Sequence, residues 1–277
     1  MGYISYHIEE NIKITEMYTF FKACYDNTYE FSGETHDFWE CVYVIDGEIC
    51  VSADSRVYNL SGGQIIFHKP LELHKFHVTS KKGVQILVFS FSAEGLLCNF
   101  FHNKVFSLDE KQKYILYELM EYAETNLASG DNMYTMYLYA FNKVNLYSQN
   151  VGMYICRLLL SLAENTNILP VSKSYDSVIF TKAVKFMAEK LYENPSIEDV
   201  SNHVNVSVSS IKRIFNRYAG MGVHKYFLKL KIKAATQMLR EGYSVTFVAE
   251  KLNFSSQGYF TKTFKRETGT LPSDLKI

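Results

Sequence analysis

The sequence predicts an α+β protein, with a β-barrel or jelly roll in its N-terminal part, a helical extension, and an all-α domain at its C-terminus. Three observations support this prediction. Residues 1–100 contain short runs rich in β-branched and aromatic residues, separated by turn signals. From about residue 109, apolar residues recur at the three- and four-residue spacing of a helix. The C-terminal part holds two similar segments about 48 residues apart, which indicates a duplicated two-helix unit.

The composition sets outer bounds on the class of protein. At 277 residues and 47% hydrophobic, the chain is long enough for two domains with real cores. We find no run with the length of a membrane span and no basic-then-apolar N-terminal signal, so we expect a cytoplasmic protein with no membrane partner. Five cysteines without close pairing predict reduced thiols rather than a disulfide framework or a zinc motif.

A formal net charge of zero conceals a division of charge along the chain. Residues 1–170 contain 12 basic and 20 acidic side chains, a net charge of −8. Residues 171–277 contain 17 basic and 9 acidic side chains, a net charge of +8. A basic C-terminal part joined to an acidic N-terminal part favours nucleic-acid binding confined to the C-terminal domain.

The N-terminal barrel is predicted over residues 1–100. Strand patterns occupy residues 11–18, 41–45, 48–53, 64–68 and 84–91. Turn signals stand between them at Asp46-Gly47, Ser61-Gly62-Gly63 and Lys81-Lys82-Gly83. Many short strands at this spacing, without helical periods between them, are typical of a barrel or a jelly roll.

Residues 101–168 are predicted to form the helical extension, with helices at 109–127 and 149–164. The second helix is apolar on more than one face. Either a partner subunit covers the additional face, making a homodimer, or the domain itself buries it. Residues 134–147 are rich in tyrosine and stay unassigned. Residues 169–178, with Pro170 and several serines, are predicted to be a linker to a DNA-binding domain at 179–277.

Each C-terminal repeat has the pattern of a helix-turn-helix. A short amphipathic helix, at 197–203 or 245–251, is followed by Asn205 or Asn253, and asparagine tolerates the left-handed backbone of a tight turn. A buried apolar residue comes next, and then a serine, Ser207 or Ser255, that can cap the second helix. The structural alternative is an ordinary helical bundle with a solvated polar face, but two copies with the same capped turn favour DNA binding.

The exposed face of each second helix carries residue types that contact base edges and phosphates in a major groove. Arg213 is the best suited of them to guanine. Gly258 removes a side chain from this face of the second unit, which predicts mainly phosphate contacts there. The predicted DNA-binding residues are Ser209, Ser210, Lys212, Arg213, Gln257, Tyr259, Lys262, Lys265 and Arg266.

Two motifs resemble the repeated tails of the AraC family of bacterial transcription regulators. They are Phe215-Asn216-Arg217-Tyr218-Ala219-Gly220-Met221 and the segment at 264–273, with a segment at 224–235 similar to the family's linker helix. The resemblance implies a transcription regulator that binds double-stranded DNA, and it favours an activator that contacts RNA polymerase. It also implies a cupin-like N-terminal sensor domain that binds a small-molecule effector, for which a sugar is one candidate.

The barrel contains a sequence similar to the latter part of the first cupin motif: His36 and Glu40, followed by Gly47. His74 lies in a looser second motif, and Glu34 stands where the motif's first histidine would fall. Glu34, His36, Glu40 and His74 could form a nitrogen–oxygen metal site. The AraC resemblance implies an organic effector bound without metal, so we expect neither metal nor cofactor.

The barrel interior is expected to be both aromatic and polar, as a small-molecule pocket requires. Its expected residues are Trp39, Tyr43, Phe67, His68, His74, Phe76 and Phe89, and the alternative is a plain hydrophobic core. The effector is expected to contact His36, Trp39, Tyr43, His68 and His74, with the neighbours Trp39 and His36 as the principal pair.

A ligand-responsive transcription regulator is therefore the leading functional hypothesis. A metal-dependent cupin enzyme with a helical appendage is the alternative, and an architectural DNA-binding protein is a third. A metal-dependent enzyme needs the full set of cupin metal ligands. Glu34 in place of the first histidine, and the imperfect spacing of the second motif, make that set incomplete and weaken the enzyme hypothesis. We find no glycine-rich phosphate loop, nucleophile elbow or HExxH pattern, so we expect no enzyme activity and no catalytic residues.

Overall fold

The computed structural model describes residues 3–125, 146–164, 167–169 and 174–275. It divides the chain into two compact units, one of residues 1–53 and 58–171 and the other of residues 54–57 and 172–277. An antiparallel sheet domain followed by a helical domain confirms the predicted α+β class. Most of the tyrosine-rich segment at 134–147 and residues 170–173 of the predicted linker lie outside the described residues.

The first unit is built around one long strand, β2, which pairs with four others. Strands β6 and β4 pair with its first part and β5 with its last part, all antiparallel, while β3 also pairs with it. The strands are β1 (Lys13–Tyr25), β2 (Trp39–Ala53), β3 (Arg56–Ser61), β4 (Gln64–His68), β5 (His74–Val78), β6 (Val84–Glu94), β7 (Val105–Ser107) and β8 (Ile168–Leu169). Because β7 pairs with β4 and β8 with β7, the sheet continues beyond residue 100.

The predicted turn at Asp46-Gly47 is wrong, because β2 runs through it without a break. The register of β2 against β6 shifts between Val44 and Asp46, as in a β-bulge. Gly47 has φ 89°, and a Cβ there would lie 2.4 Å from the carbonyl oxygen of Gly83. The two segments predicted as separate strands therefore form one strand that bends at the glycine.

The two faces of β2 border different cores, since successive side chains of a strand point to opposite sides. Trp39, Cys41 and Tyr43 join a core shared with the helices of this unit. Val42 and Val44 join a second core formed by the strands themselves. The predicted single interior is therefore divided: Phe76 lies in the strand core, whereas Trp39, Tyr43, Phe67 and Phe89 lie in the core against the helices.

Two α-helices of the first unit are described, α1 (Glu110–Thr125) and α2 (Tyr147–Glu164), preceded by a 3-10 turn at Leu96–Phe101. Their bounds agree with the predicted helices at 109–127 and 149–164 to within two residues. Ile115, Leu119, Ile155 and Leu158 bury the facing sides of the pair. Within the described parts of the chain, no helix has the length and apolar character needed to span a membrane.

The second unit is helical over its described residues from 174 onward. Its helices are α3 (Tyr175–Glu189), α4 (Ile197–His203), α5 (Val208–Ala219), α6 (Val223–Arg240), α7 (Val245–Lys251) and α8 (Gln257–Thr268), followed by a 3-10 turn at Pro272–Leu275. Helix α3 begins inside the predicted linker of residues 169–178, because Ser174 accepts a hydrogen bond from the Ser177 amide and caps it. Helices α4 and α7 have the predicted bounds.

The long helix α6 contributes to the core of both repeats. Near its start, the Tyr226 ring packs edge-on against Phe215 of α5, with ring centroids 5.3 Å apart. Farther along, Ile232 and Leu239 join the core of the second repeat with Phe260 of α8. The helix ends at Arg240, and Gly242 follows with φ 91°, the left-handed backbone that a glycine commonly adopts just after a helix.

Candidate DNA-binding surface and ligand site

The turn of each helix-turn-helix rests on an asparagine in the left-handed region. Asn205 has φ 53° and Asn253 has φ 52°, which confirms the predicted turn conformation. The amide of Asn205 donates to the Asn202 carbonyl at 3.2 Å, and that of Asn253 donates to the Glu250 carbonyl at 2.9 Å. These local bonds fix the angle at which the second helix leaves the first.

A serine caps the second helix of each repeat, but not at matching distances from the turn. Ser207 accepts a hydrogen bond from the Ser210 amide at 3.1 Å, as predicted. In the second repeat Ser256 accepts from the Tyr259 amide at 3.1 Å, so the predicted cap at Ser255 is wrong. Asn205 and Asn253 are 48 residues apart, but the caps Ser207 and Ser256 are 49 apart, so the second repeat has one extra residue between turn and cap. Equivalent positions of α5 and α8 are therefore 49 residues apart.

The exposed face of α5 carries most of the predicted side chains. Ser209, Lys212 and Arg213 are exposed, while Ser210 is half-buried and shares a hydrogen bond of 2.9 Å with Ser207. Sequence reasoning missed Asn216 and Arg217, which are also exposed. Helical spacing was the available signal, since these two residues lie one turn beyond Lys212 and Arg213 on the same face.

Arg213 already has a partner within the second unit. Its guanidinium donates to both carboxylate oxygens of Asp176, at 2.8 and 3.2 Å. Asp176 lies in the first turn of α3, and Arg217 approaches the same carboxylate at 3.8 Å. An acidic group thus lies beside the two arginines of the α5 surface.

The exposed face of α8 is cationic at its centre. At the 49-residue spacing, Ser209, Arg213, Asn216 and Arg217 of α5 correspond to Gly258, Lys262, Lys265 and Arg266 of α8. Gly258 is exposed, and a Cβ placed on it would meet nothing within 4 Å. This face is therefore flat where α5 presents Ser209, and it is flanked by the exposed Lys262 and Lys265.

Three other predicted residues of the second repeat make contacts within it. Gln257 accepts a hydrogen bond from the Thr246 hydroxyl at 3.1 Å, which links α8 to α7. Tyr259 is 44% exposed, with its ring beside Phe254. The Arg266 guanidinium donates to the Glu267 carboxylate at 2.9 Å.

A separate polar cluster lies in the first unit around Glu40, near the start of β2. His68 is the register partner of Glu40 in β4, and His74 begins β5. The segment before β2 is tied to these strands by backbone hydrogen bonds: Leu71 donates to His36 at 2.7 Å, and Glu34 exchanges two bonds with His74 at 3.0 and 3.1 Å. Segments about 35 residues apart in sequence are thus brought together.

The side chains of this cluster converge on the Glu40 carboxylate. The Nε2 atom of His74 lies 3.2 Å from Glu40 Oε1, and that of His36 lies 3.7 Å from Glu40 Oε2. Glu34 Oε1 lies 3.7 Å from His74 Nε2. His68 stacks on His74 with ring centroids 4.2 Å apart, and its Nδ1 lies 2.9 Å from a Glu72 carboxylate oxygen.

Burial and charge act in opposite directions on these groups. Burial by itself would raise the pKa of Glu40, but the nearby imidazoles of His36 and His74 hold it well below its usual range. Burial would lower the pKa of His74, but the carboxylates of Glu34 and Glu40 outweigh it and raise that pKa to about 10. For His68 burial dominates and lowers the pKa, so this imidazole is neutral at pH 7.

The structure brings together His36, His68 and His74 of the five predicted effector contacts, but not the other two. Trp39 and Tyr43 lie in the core against the helices, and the Trp39 ring stacks on His102 with centroids 5.3 Å apart. The expected pairing of Trp39 with His36 is therefore not formed. The reason is the two-residue period of a strand, which turns Trp39 away from the side occupied by Glu40.

Two family models match separate parts of the chain. A helix-turn-helix domain model matches residues 200–276, and a model described as an AraC-like ligand binding domain matches residues 20–97. They coincide with the two sites above, the capped helix pairs and the histidine cluster.

Known proteins match over both parts. The chain is 25% identical over 250 residues to the uncharacterized HTH-type transcriptional regulator YidL of Escherichia coli, covering 85% of this chain and 74% of that protein. It is 22% identical over 253 residues to the HTH-type transcriptional activator RhaS of Escherichia fergusonii, covering 87% and 86%. A solved AraC-type DNA-binding regulator structure from Chromobacterium violaceum is 28% identical and covers 36% of this chain and 89% of that one, with a TM-score of 0.35. The chain belongs to the AraC family of transcription regulators, a family without enzymatic activity, with an AraC-like ligand-binding domain before its helix-turn-helix domain.

Proposed function

We propose that this regulator binds DNA sequence-specifically through the exposed faces of α5 and α8. The observation that carries the proposal is the matched pair of serine-capped helices, each following an asparagine turn. Each helix buries an apolar face in the domain and projects polar and basic side chains from the opposite, exposed face. Helices held in this way enter major grooves, where side chains contact base edges and backbone phosphates.

The two helices have different roles in this proposal. Helix α5 dominates base contacts through Ser209, Ser210, Lys212 and Arg213, and we add Asn216 because its amide lies on the same face. Helix α8 lacks a side chain at Gly258 and acts mainly through phosphates, with Lys262, Lys265 and Arg266 as the cations. Gln257 positions α8 through its hydrogen bond with Thr246, and Tyr259 supplies apolar contact with a base.

The test begins with selection of bound duplexes from a random-sequence pool by the full chain. We expect a consensus, and we expect the selected duplex to bind about a thousandfold more tightly than a scrambled duplex at physiological salt. Fluorescence anisotropy measures both affinities. Equal affinity for selected and scrambled duplexes would reject sequence-specific binding and leave the architectural alternative.

The effector site is proposed for the N-terminal unit, at the histidine cluster of His36, His68 and His74. The buried imidazoles of His68 and His74, the half-buried imidazole of His36 and the Glu40 carboxylate offer polar groups beside the apolar strand core, as recognition of a small polar molecule such as a sugar requires. Trp39 and Tyr43 support this site from the opposite face of β2 and do not contact the effector directly.

A thermal-shift screen with defined sugars and amphiphiles tests the effector site, because a ligand that binds the folded state raises the melting temperature. A hit should bind His36→Gln more weakly and should change affinity for the selected duplex. By linkage, the duplex must change affinity for the hit by the same factor. A hit that leaves DNA affinity unchanged would contradict its role as effector.

An activator role, with RNA polymerase as the partner, is proposed from the relative RhaS, whose name describes it as a transcriptional activator. In vitro transcription with purified RNA polymerase and a template carrying the selected duplex upstream of a promoter measures the sign of the effect. We expect more transcript when the regulator is added. Less transcript would identify a repressor.

A homodimer formed through the helical extension is also proposed. A groove of about 350 Å³ lies between α1 and α2, lined in part by Ile115, Met153 and Leu160. Met153 is 62% exposed and Leu160 is 43% exposed, and these residues are seven apart on one stripe of α2. Apolar side chains on a helix stripe are suited to an isologous contact with the same stripe of a second copy.

Light scattering after size-exclusion chromatography tests the dimer. We expect two copies for the unaltered chain and one copy for the double variant Met153→Glu, Leu160→Glu. Tyr192→Glu is the matched control, because Tyr192 is 50% exposed but lies in the other unit. A monomeric unaltered chain, or a dimeric double variant, would contradict the proposed interface.

The predicted domain limits, barrel 1–100, extension 101–168, linker 169–178 and DNA-binding domain 179–277, are kept as proposals with two changes. The barrel sheet also takes in β7 and β8, and the DNA-binding domain begins with α3 at Tyr175, inside the predicted linker. The division between the compact units at residues 171 and 172 falls within that linker. A cytoplasmic location is proposed because DNA is the partner and all five cysteines are free thiols.

A further inference from the structure

Four metal-ligating side chains converge in the first unit, in the cluster around Glu40. Glu34, His36, Glu40 and His74 each offer one ligand atom, and these four atoms all lie within 4.8 Å of one another. The three measured separations between nitrogen and oxygen are 3.2, 3.7 and 3.7 Å. Ligands bound about 2.0 Å from a tetrahedral ion lie about 3.3 Å apart, so the atoms are already near the spacing of a coordination shell.

The two histidines are oriented as metal ligands. The Nδ1 atom of His36 lies 3.0 Å from the Phe38 carbonyl, and that of His74 lies 3.1 Å from the Glu72 carbonyl. A carbonyl accepts only, so each Nδ1 carries the hydrogen. Such a bond from one ring nitrogen to a backbone carbonyl is the usual outer support of a ligating histidine, and it directs the other nitrogen at the ion.

The two remaining ring nitrogens face only the carboxylates of the cluster. His36 Nε2 and His74 Nε2 are both buried, and neither makes a hydrogen bond of good geometry with the described residues. Their nearest acceptors are the Glu40 and Glu34 oxygens at 3.2–3.7 Å, and His74 is only 2% exposed. Unpaired buried polar atoms are costly, and two of them aimed at one carboxylate call for a shared partner.

We propose that Glu34, His36, Glu40 and His74 bind one divalent first-row transition-metal ion. Binding displaces the proton from His74 Nε2, and the two neutral imidazoles and two carboxylates then carry a net charge of −2, which the ion neutralises. Mixed imidazole and carboxylate donors suit Zn²⁺, Co²⁺ and Fe²⁺ more than Mg²⁺ or Ca²⁺, which prefer oxygen alone. The sequence favours an organic effector without metal; the orientation of the two imidazoles is what changes that preference.

The backbone holds the four residues in place before any ion binds. Glu34 and His74 exchange a pair of backbone hydrogen bonds, and His36 accepts one from Leu71. Glu40 is fixed within β2 between β4 and β6. Only the Glu34 carboxylate, which is 48% exposed, has room to swing toward or away from the ion.

The experiment uses the full chain, treated with EDTA and dialysed, and then titrated separately with ZnCl₂, CoCl₂ and MgCl₂. We expect calorimetry to give one equivalent of Zn²⁺ or Co²⁺, a raised melting temperature, and binding of Mg²⁺ at least tenfold weaker. X-ray absorption of the zinc form should show nitrogen and oxygen at about 2.0 Å without sulfur.

Glu34→Gln and His36→Gln are the informative variants, because neither residue is as deeply buried as Glu40 or His74. Each should weaken Zn²⁺ binding by about tenfold or more. Glu48→Gln, an exposed position on β2, and His77→Gln on β5 are the matched controls and should leave it unchanged.

Absence of saturable binding by the folded chain would overturn the proposal. So would Glu34→Gln and His36→Gln variants with unchanged affinity, or controls that lose as much. A sulfur shell in the absorption spectrum would also overturn it by assigning the ion to a cysteine. The proposal does not depend on DNA binding, which these measurements leave untouched.

Discussion

Arg213 and Asp176 form a two-point ion pair in which one guanidinium nitrogen donates to each carboxylate oxygen, at 2.8 and 3.2 Å. Arg213 lies on the exposed face of α5 and Asp176 in the first turn of α3. The pair is solvent-accessible, since the Arg213 side chain is 59% exposed. In the proposed complex, the acid therefore competes with DNA for Arg213.

Asp176→Asn is expected to tighten binding of the selected duplex by two- to tenfold. An exposed ion pair contributes about 0–1 kcal/mol, so a DNA contact replaces it readily, and removing the acid also removes repulsion of nearby phosphates. Anisotropy titrations at two salt concentrations measure the change. Glu193→Gln, which removes an exposed acid paired with Lys190, is the control and should have a smaller effect. Weaker binding by Asp176→Asn would show that the pair pre-orients Arg213 for DNA.

Arg213→Ala and Lys262→Ala are expected to differ in kind, although they occupy equivalent positions of the two repeats. Arg213→Ala should cost about 1–3 kcal/mol on the selected duplex and relax the preference at one base pair. Lys262→Ala should weaken binding equally on selected and scrambled duplexes and reduce the salt slope by about 1. Competition titrations at several salt concentrations separate the two effects. An unchanged selected-to-scrambled ratio for Arg213→Ala, or an altered one for Lys262→Ala, would contradict the assignment.

Gly258→Ala should stabilise the second unit by about 1 kcal/mol, because alanine is favoured over glycine within a helix. Gly242→Ala should destabilise it by about the same amount, since Gly242 has φ 91°. A Cβ at either position meets nothing within 4 Å, so the pair isolates backbone conformation from packing. Urea unfolding measures both changes. The same sign for both substitutions would refute the argument.

Asn205→Ala should destabilise the first repeat by about 1–2 kcal/mol, because alanine is strained at φ 53°. Asn205→Gly should be nearly neutral, since glycine adopts this conformation freely. Thermal unfolding of the two variants gives the comparison. Equal losses would mean that the asparagine side chain, rather than the backbone of the turn, stabilises the repeat.

Lys231 predicts a pH dependence of stability. Burial lowers its pKa to about 8, and its ammonium contacts the Asn194 side chain and the Asn253 carbonyl. Its unfolded pKa is about 10.4, so between pH 8 and 10.4 the unfolded state binds more protons and the free energy of unfolding rises with pH. We expect this rise, at most about 1.4 kcal/mol per pH unit, in the unaltered chain relative to Lys231→Met. A pH-independent difference between the two would contradict it.

The sequence by itself determined the C-terminal helix-turn-helix pair, because its signals are local. Asparagine before the second helix, serine at its start and apolar residues at helical spacing act over a few residues, so each was visible without the fold. The same signals failed only at Ser255, where the extra residue left two adjacent serines and the backbone selected Ser256.

Tertiary structure alone decided the relationships between distant segments. Glycine with positive φ suits both a hairpin turn and a β-bulge. The pairing of β2 with β6 continues through Gly47, which packs against the Gly83 carbonyl, so the structure is a bulge. The side of β2 that faces each core follows from strand pairing, which separated Trp39 from His36. Asp176 meets Arg213 across 37 residues of sequence, and His74 meets His36 only through the sheet. Such contacts depend on pairing and packing over long separations, which residue patterns do not encode locally.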